Sequence, residues 1–189
     1  AFIVFQLPHA IFAVSIFTAL LPGMSQRWAT GDAAGVRSFL SRGLRDTAVV
    51  TIPAALGLFA LAEPIARLLF EHGAAVEADA VAIGSALQGF AVGLLFFSSF
   101  QLMTRAFYAM QDTRTPAIAN VGVGCVNIAA ALLYTAAPLE LGVQGMALAH
   151  ATSYVAGAGI LLILLRRRLG ALDGARIART VALTSVAAI

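Results

Sequence analysis

Lysine is absent from this 189-residue chain, cysteine and tryptophan occur once each, and only 11% of the residues are charged. Each shortage excludes something. The single cysteine, Cys125, lies within an apolar stretch, so it forms no internal disulfide and its expected role is packing. Three histidines and nine acidic residues show no metal-ligand spacing, and no cofactor motif accompanies them. So little charge, with 60% hydrophobic residues and a mean hydropathy of +0.91, lies far from the usage of soluble domains. The net charge of +3 is spread over several gaps rather than gathered in a patch, which argues against a nucleic-acid surface. No basic stretch precedes the first apolar residues, so no cleavable signal peptide is expected. The opening residues are already apolar, and Thr180–Ile189 reads as the start of another apolar segment. The expectation is a piece of a longer protein, cut at both ends.

What the chain has in abundance is long apolar runs. Ala1–Leu21, Thr47–Phe70, Ala80–Met103, Ala117–Ala137 and Val143–Leu165 are each long enough, at about 1.5 Å per residue, to cross a hydrocarbon core of about 30 Å. The expected fold class is all-α: a polytopic transmembrane bundle of about five full spans and the start of a sixth. All twelve basic residues are arginines, and eleven occupy every second gap between these runs. Arg27, Arg37, Arg42 and Arg45 lie in the first gap, Arg105 and Arg114 around the third, and Arg166, Arg167, Arg168, Arg176 and Arg179 after the fifth run. The other gaps are acidic, with Glu71, Glu77 and Asp79 in one and Glu140 in the next. Short cytoplasmic loops collect basic residues. Loops 23–46, 104–116 and 166–179 are therefore expected in the cytoplasm, and loops 71–79 and 138–142 outside it.

Local signals refine this outline. The stretch Met24–Arg45 has helical periodicity broken at Gly31-Asp32, and is expected to form two short amphipathic helices in the inner interface with Trp28 as anchor. Glu63-Pro64 breaks the second run, and Arg67, one turn on, is placed to pair with Glu63. The turn Gln111-Asp112-Thr113-Arg114-Thr115-Pro116 puts a proline in the first turn of the next helix, where its missing N–H costs nothing.

Polar residues inside apolar spans are functional candidates by default. Arg105 is the leading one, as a cavity or gate residue able to meet a phosphate; the plain alternative is a boundary arginine whose head reaches the interface. Asp112 and Arg114 are candidates for gating, or for fixing their turn. Arg45, with Asp46 beside it, is expected at a helix start. Gln6 and His9 lie in the first span, while Ser15 and Thr18 there are expected to bond back to the preceding turn. Gln88, Asn120 and Asn127 are candidates for interhelical bonds or ion coordination, although Ala131 stands where an acid four residues after Asn127 would strengthen a cation site. His150, with Thr152 and Ser153, reads as interhelical glue.

Two motifs carry a resemblance. Leu7-Pro8-His9-Ala10-Ile11-Phe12-Ala13-Val14-Ser15-Ile16, continuing through Thr18-Ala19-Leu20-Leu21-Pro22 to Met24-Ser25, is one. Arg105-Ala-Phe-Tyr108-Ala-Met-Gln111-Asp112-Thr113-Arg114-Thr115-Pro116 is the other. Together they resemble signatures of the MurJ/MviN family of lipid II flippases, within the larger multidrug/oligosaccharidyl-lipid/polysaccharide exporter superfamily. The resemblance covers essentially all of residues 1–189. It implies most of the second lobe of a two-lobed, fourteen-helix transporter that works by alternating access. It further implies lipid II and membrane lipids as partners, possible contact with other wall-synthesis proteins, residence in the bacterial plasma membrane, and neither enzyme activity nor a cofactor. Many members carry an acidic–arginine pair just before the first motif, with that arginine meeting the substrate's pyrophosphate; here those positions are Phe2-Ile3. Alternatives of other kinds are an exporter of a different polyprenyl-linked glycan and a non-transporting scaffold for wall synthesis. An intramembrane enzyme would need paired acids facing a cavity, whereas the acids here sit mainly in loops and at helix ends.

Overall fold

The computed structural model describes residues 1–70, 77–136 and 141–188, and among them the chain is helical with no strand. Five helices are long and apolar enough to span a membrane: Phe2–Ala29, Ala33–Ala60, Asp79–Ala109, Arg114–Thr135 and Gly142–Leu169. Lipid offers no partner to a free N–H or C=O, so spanning segments close their hydrogen bonds internally. The all-α bundle expected from the apolar runs is what these residues form.

The first span has three parts, α1 (Phe2–Pro8), a π-helical turn (His9–Ala13) and α2 (Val14–Ala29). Pro8 brings no N–H, and its ring crowds the carbonyl a turn earlier. The helix answers with one wide turn, closed by the Val14 N–H on the His9 carbonyl five residues back. Ser15 and Thr18 return their hydroxyls to Ile11 and Val14 carbonyls at 2.8 Å each, as expected.

The expected pair of interfacial helices is not formed. Instead α2 runs on through Pro22 to Ala29, and α3 (Ala33–Ala60) begins directly after the turn at Gly31. Asp32 stops one helix and starts the next: its carboxylate accepts the Gly35 N–H at 2.7 Å and pairs with Arg27 at 2.7 Å. Nothing between Ala33 and Thr47 is a strong breaker, so the helix continues into the membrane and the amphipathic stretches become extensions of two spans. Trp28 packs against the core instead of standing out as an anchor. Arg45 and Asp46 consequently lie inside α3, not at a helix start.

A break at Leu61 leads into α4 (Ala62–Phe70), with Pro64 in its first turn and Arg67 paired to Glu63 at 2.8 Å. The remaining helices are α5 (Glu77–Ala109), α6 (Arg114–Thr135), α7 (Gly142–Leu169) and α8 (Gly174–Ala187). The expectation for the acidic gaps 71–79 and 138–142 falls largely outside the described residues, Glu71 and Glu140 included. At the centre, α5 packs most extensively on α7, and then on α3 and α4. The approach to α7 is close enough that a Cβ at Gly93 would lie 2.8 Å from Ala151 Cα. By contrast α6 packs almost only on α7, which leaves Cys125 exposed rather than packed as its apolar neighbours suggested.

Two apolar clusters fill the bundle. One, around Phe17, Leu40, Leu102, Phe107 and Leu161, sits toward the end that carries the arginines; the other, around Phe5, Leu87, Leu94 and Phe97, sits toward the opposite end. Outside them, side chains such as Ile118 and Val186 are about three-quarters exposed, as suits a surface solvated by lipid tails.

The arginine-bearing turns share one end of the bundle. Arg168 at the end of α7 donates to the Asp112 carboxylate in the α5–α6 turn. Arg37 on α3 reaches the α7–α8 turn, its Nη1 lying 3.3 Å from where a Gly170 Cβ would stand. Three turns separated in sequence thus form one basic face.

Candidate functional site

Polar side chains collect along the seam between the first span and α5. The π turn aims His9 inward, where its Nδ1 shares a 2.9 Å hydrogen bond with Ser98 Oγ, both groups buried. The His9 ring also meets Phe97 edge-on at 4.6 Å and Phe17 at 5.7 Å. Arg105 stands seven residues beyond Ser98, and so on the same stripe of α5. It is half-buried, with its guanidinium 5.5 Å above the Phe17 ring, a cation–π distance. It makes no hydrogen bond or ion pair with a described residue. A half-buried cation held by an aromatic face, with its N–H donors unspent, is able to receive an anion.

The second grouping is the turn that ends α5. Gln111 adopts φ 58°, a left-handed conformation that costs a non-glycine residue roughly 1–2 kcal/mol. The turn repays this with the Asp112 carboxylate. It accepts the Thr115 N–H at 3.0 Å and the Thr115 hydroxyl at 2.8 Å, capping α6, and also receives Arg168. The Thr115 backbone bond first, then its hydroxyl and Arg168, hold the Asp112 pKa down at about 2 against the desolvation that opposes them. Asp112 is therefore an anchor, fully ionised at neutral pH and committed to its turn. Arg114 beside it is exposed.

Other sequence candidates are placed separately. Gln6 is half-buried on α1 without a hydrogen bond to a described residue. Gln88 Nε2 donates to the Phe59 carbonyl across α3 and α5 at 3.4 Å. Asn127 Nδ2 donates to Ser153 Oγ at 3.5 Å, and that hydroxyl donates to the His150 carbonyl at 2.7 Å. Asn120, two turns earlier, is exposed. Arg45 and Arg114 make no hydrogen bond or ion pair that ties them to the His9–Arg105 stripe.

Sequence reasoning missed the surroundings of His150. Its ring is enclosed by Tyr154 at 4.8 Å, Phe90 at 5.3 Å, Phe2 at 5.4 Å and Phe5 at 6.0 Å, drawn from three helices. Its Nε2 is buried without a partner among the described residues. The available signal was the spacing of Phe2, Phe5 and His9 on the first span against Phe90 and Phe97 on α5, which only the helix pairing brings into register.

Comparison with known proteins bears on this geometry directly. All of residues 1–189 match the family model described as "Lipid II flippase MurJ". The chain belongs to the MurJ lipid II flippase family. A probable lipid II flippase MurJ of Thermotoga maritima is 36% identical over 154 residues, 81% of this chain and 31% of that protein. The lipid II flippase MurJ of Thermosipho africanus is 32% identical over 160 residues, 85% of this chain and 32% of that protein. A solved structure titled lipid II flippase MurJ in an inward closed conformation superposes with a TM-score of 0.82 at 27% identity, over 98% of this chain and 38% of that one. The chain thus spans about a third of the length of the MurJ proteins it matches. Phe2 is committed to packing, 5.4 Å from both the Phe90 and His150 rings.

Proposed function

We propose that this chain forms most of the second lobe of a lipid II flippase of the bacterial plasma membrane, carrying lipid-linked muropeptide from the inner to the outer leaflet. The observation that carries the reading is the fit of its helices, in order and over 98% of the chain, to a MurJ structure. The basic face, with loops 23–46, 104–116 and 166–179, is the cytoplasmic one, and loops 71–79 and 138–142 face outward. A polar headgroup cannot cross hydrocarbon bare, because each unsatisfied polar group costs several kcal/mol. The lobe's contribution is one wall of a polar path along which the headgroup moves while its tail stays in lipid. Arg105 serves as the phosphate contact on this wall, its donors free and its ring neighbour keeping it extended toward the first span. Asp112 holds the turn beneath it. His9, Gln6, Gln88, Asn120 and Asn127 supply interhelical bonds and wall polarity. Arg45 and Arg114 belong to the cytoplasmic rim. No bond is made or broken.

The aromatic packing at Phe2 favours one second reading. With no cation at that position, the chain fits a membrane scaffold that recruits wall-synthesis proteins without carrying cargo. The test separates them. The full-length protein is depleted in its host while outer-leaflet lipid II is labelled with an impermeant probe. Under the flippase reading the outer pool falls while the total pool rises. An unchanged outer pool with mislocalised wall-synthesis proteins would establish the scaffold instead.

A further inference from the structure

A crevice of about 460 Å³ opens among α3, α5, α7 and α8. Its walls are apolar, with Leu44 and Ala48 from α3, Phe96 from α5, Leu162 from α7, and Ile177 and Val181 from α8. That volume lies within the range of small-ligand clefts, about 300–1,000 Å³. Apart from Ser99 of α5, the lining changes character only at the end nearest the basic face, where Arg166 joins it. The Arg166 guanidinium lies over Gly174, its Nη2 2.8 Å from where a Cβ would stand, so it closes the space between α7 and α8.

More arginines lie on the segments that flank that end. Leu44 and Ala48 share the crevice with Ile177 and Val181, while Val49 and Pro53 share the next hollow with Leu183 and Ala187. The two helices therefore run side by side in the same direction. That register sets Arg42 and Arg45 of α3 level with Arg176 and Arg179 of α8, on the segments that frame the end of the crevice nearest the basic face. The acids on these segments are Asp46 and Asp173. Asp46 pairs with Arg42 at 3.6 Å on exposed surface, an interaction worth little. Arg45, Arg166, Arg176 and Arg179 make no ion pair or hydrogen bond through their guanidinium groups with a described residue. An uncompensated guanidinium at the end of an apolar cleft, with further arginines on the flanking segments, calls for an occupant with an anionic head and an apolar body. A soluble anion would leave the walls unexplained, and a neutral lipid would leave the arginines so.

We propose that this crevice is a site for an anionic phospholipid of the leaflet on the basic side. The lipid phosphate sits on Arg166, and an acyl chain fills the space beneath α8. The site is separate from the His9–Arg105 seam and does not depend on what the protein transports.

The test uses full-length protein in nanodiscs of phosphatidylcholine with a minority of phosphatidylglycerol, and native mass spectrometry to count the phosphatidylglycerol retained. The wild type is expected to keep phosphatidylglycerol in preference to phosphatidylcholine. Arg166→Gln should lower its occupancy roughly fivefold, and Ala178→Trp, which fills the crevice, should abolish the preference. Arg27→Gln, whose arginine is paired with Asp32 on another helix, should leave it unchanged. Three results would overturn the proposal: no preferential retention, equal retention by Arg166→Gln, or equal loss in Arg27→Gln, which would mean diffuse surface charge. If added lipid-linked glycan displaces phosphatidylglycerol from the wild type, the crevice belongs to the cargo's tail and the proposal also fails. Should Ala178→Trp not fold, the exposed Arg166→Gln substitution decides the matter.

Discussion

Replacing Gly93 by alanine adds one methyl group where the bundle has no room for it. The new Cβ would lie 2.8 Å from Ala151 Cα and 2.9 Å from Ala151 Cβ. Carbon atoms in ordinary contact sit about 3.5–4.0 Å apart, so α5 and α7 must part locally by roughly 0.6–1 Å. Overpacking of this size costs about 1–3 kcal/mol. The same substitution gains up to about 1 kcal/mol of helix propensity. Gly124 provides the reference, because no atom stands within 4 Å of its Cβ position and alanine there collects the propensity gain alone. The two variants should therefore differ by about 1–3 kcal/mol, with Gly93→Ala the less stable. Thermal denaturation of full-length protein in one detergent–lipid mixture reads the difference. Adding Ala151→Gly should restore stability only in part, since it removes the Cβ at 2.9 Å and leaves the Cα at 2.8 Å. If Gly93→Ala matches Gly124→Ala, the backbone contact between α5 and α7 is not what packs this bundle.

Arg105→Ala should lower outer-leaflet lipid II about tenfold or more at unchanged protein level, as expected for one lost hydrogen bond to a charged group; a normal outer pool removes Arg105 from the phosphate path. Asp112→Ala removes the acceptor of the Thr115 N–H and the tie to Arg168, lowering stability at neutral pH by about 1 kcal/mol. Because the Asp112 pKa is depressed to about 2, its contribution is fully present above the ordinary value of 3.8 and is lost as pH falls toward 2. A thermal-midpoint profile that declines over that window in wild type and equally in Asp112→Ala would contradict the assignment. His9→Leu should cost about 1–3 kcal/mol by stranding the buried Ser98 hydroxyl, and pairing it with Ser98→Ala should recover most of that. A double variant as unstable as the single one would show that the hydrogen bond is not the source.

The outline of the bundle was legible because lipid imposes it. Apolar runs of spanning length admit only helices here, and the alternation of Arg27–Arg45, Arg105–Arg114 and Arg166–Arg179 with acidic gaps marked which turns lie together. The Glu63–Arg67 pair and the first-turn position of Pro116 followed from local spacing. Between Met24 and Arg45 the same kind of reading went astray. Amphipathic periodicity there is equally consistent with helices lying on a membrane and with helices extending out of one, and only the lack of a breaker after Asp32 separates the two. Pairwise partners were harder still. Nothing local to Asp112 announces Arg168, 56 residues on. The spans that bring Phe2, Phe90 and Tyr154 around His150 are so uniformly apolar that no face stands out. In the seam, His9 and Arg105 were visible as isolated polar residues. Their alignment on one stripe depended on the π turn, which the sequence marks only by Pro8.

That turn also fixes the rotational phase of the first span. An α-helix advances about 100° per residue. The wide turn at His9–Ala13 accommodates one residue more than regular winding would hold. Were the same residues wound as a regular α-helix, everything before the turn would swing through that angle relative to α2, and Phe2 and Phe5 would leave the ring around His150. Deleting one residue within the turn, Ala10 for instance, should instead let the span close as a continuous α-helix with both flanks kept in phase. A deletion elsewhere in the first motif should rotate one part of the span against the other and be tolerated far less well. The position of a missing residue, as much as its identity, thus decides which side of this helix looks into the bundle.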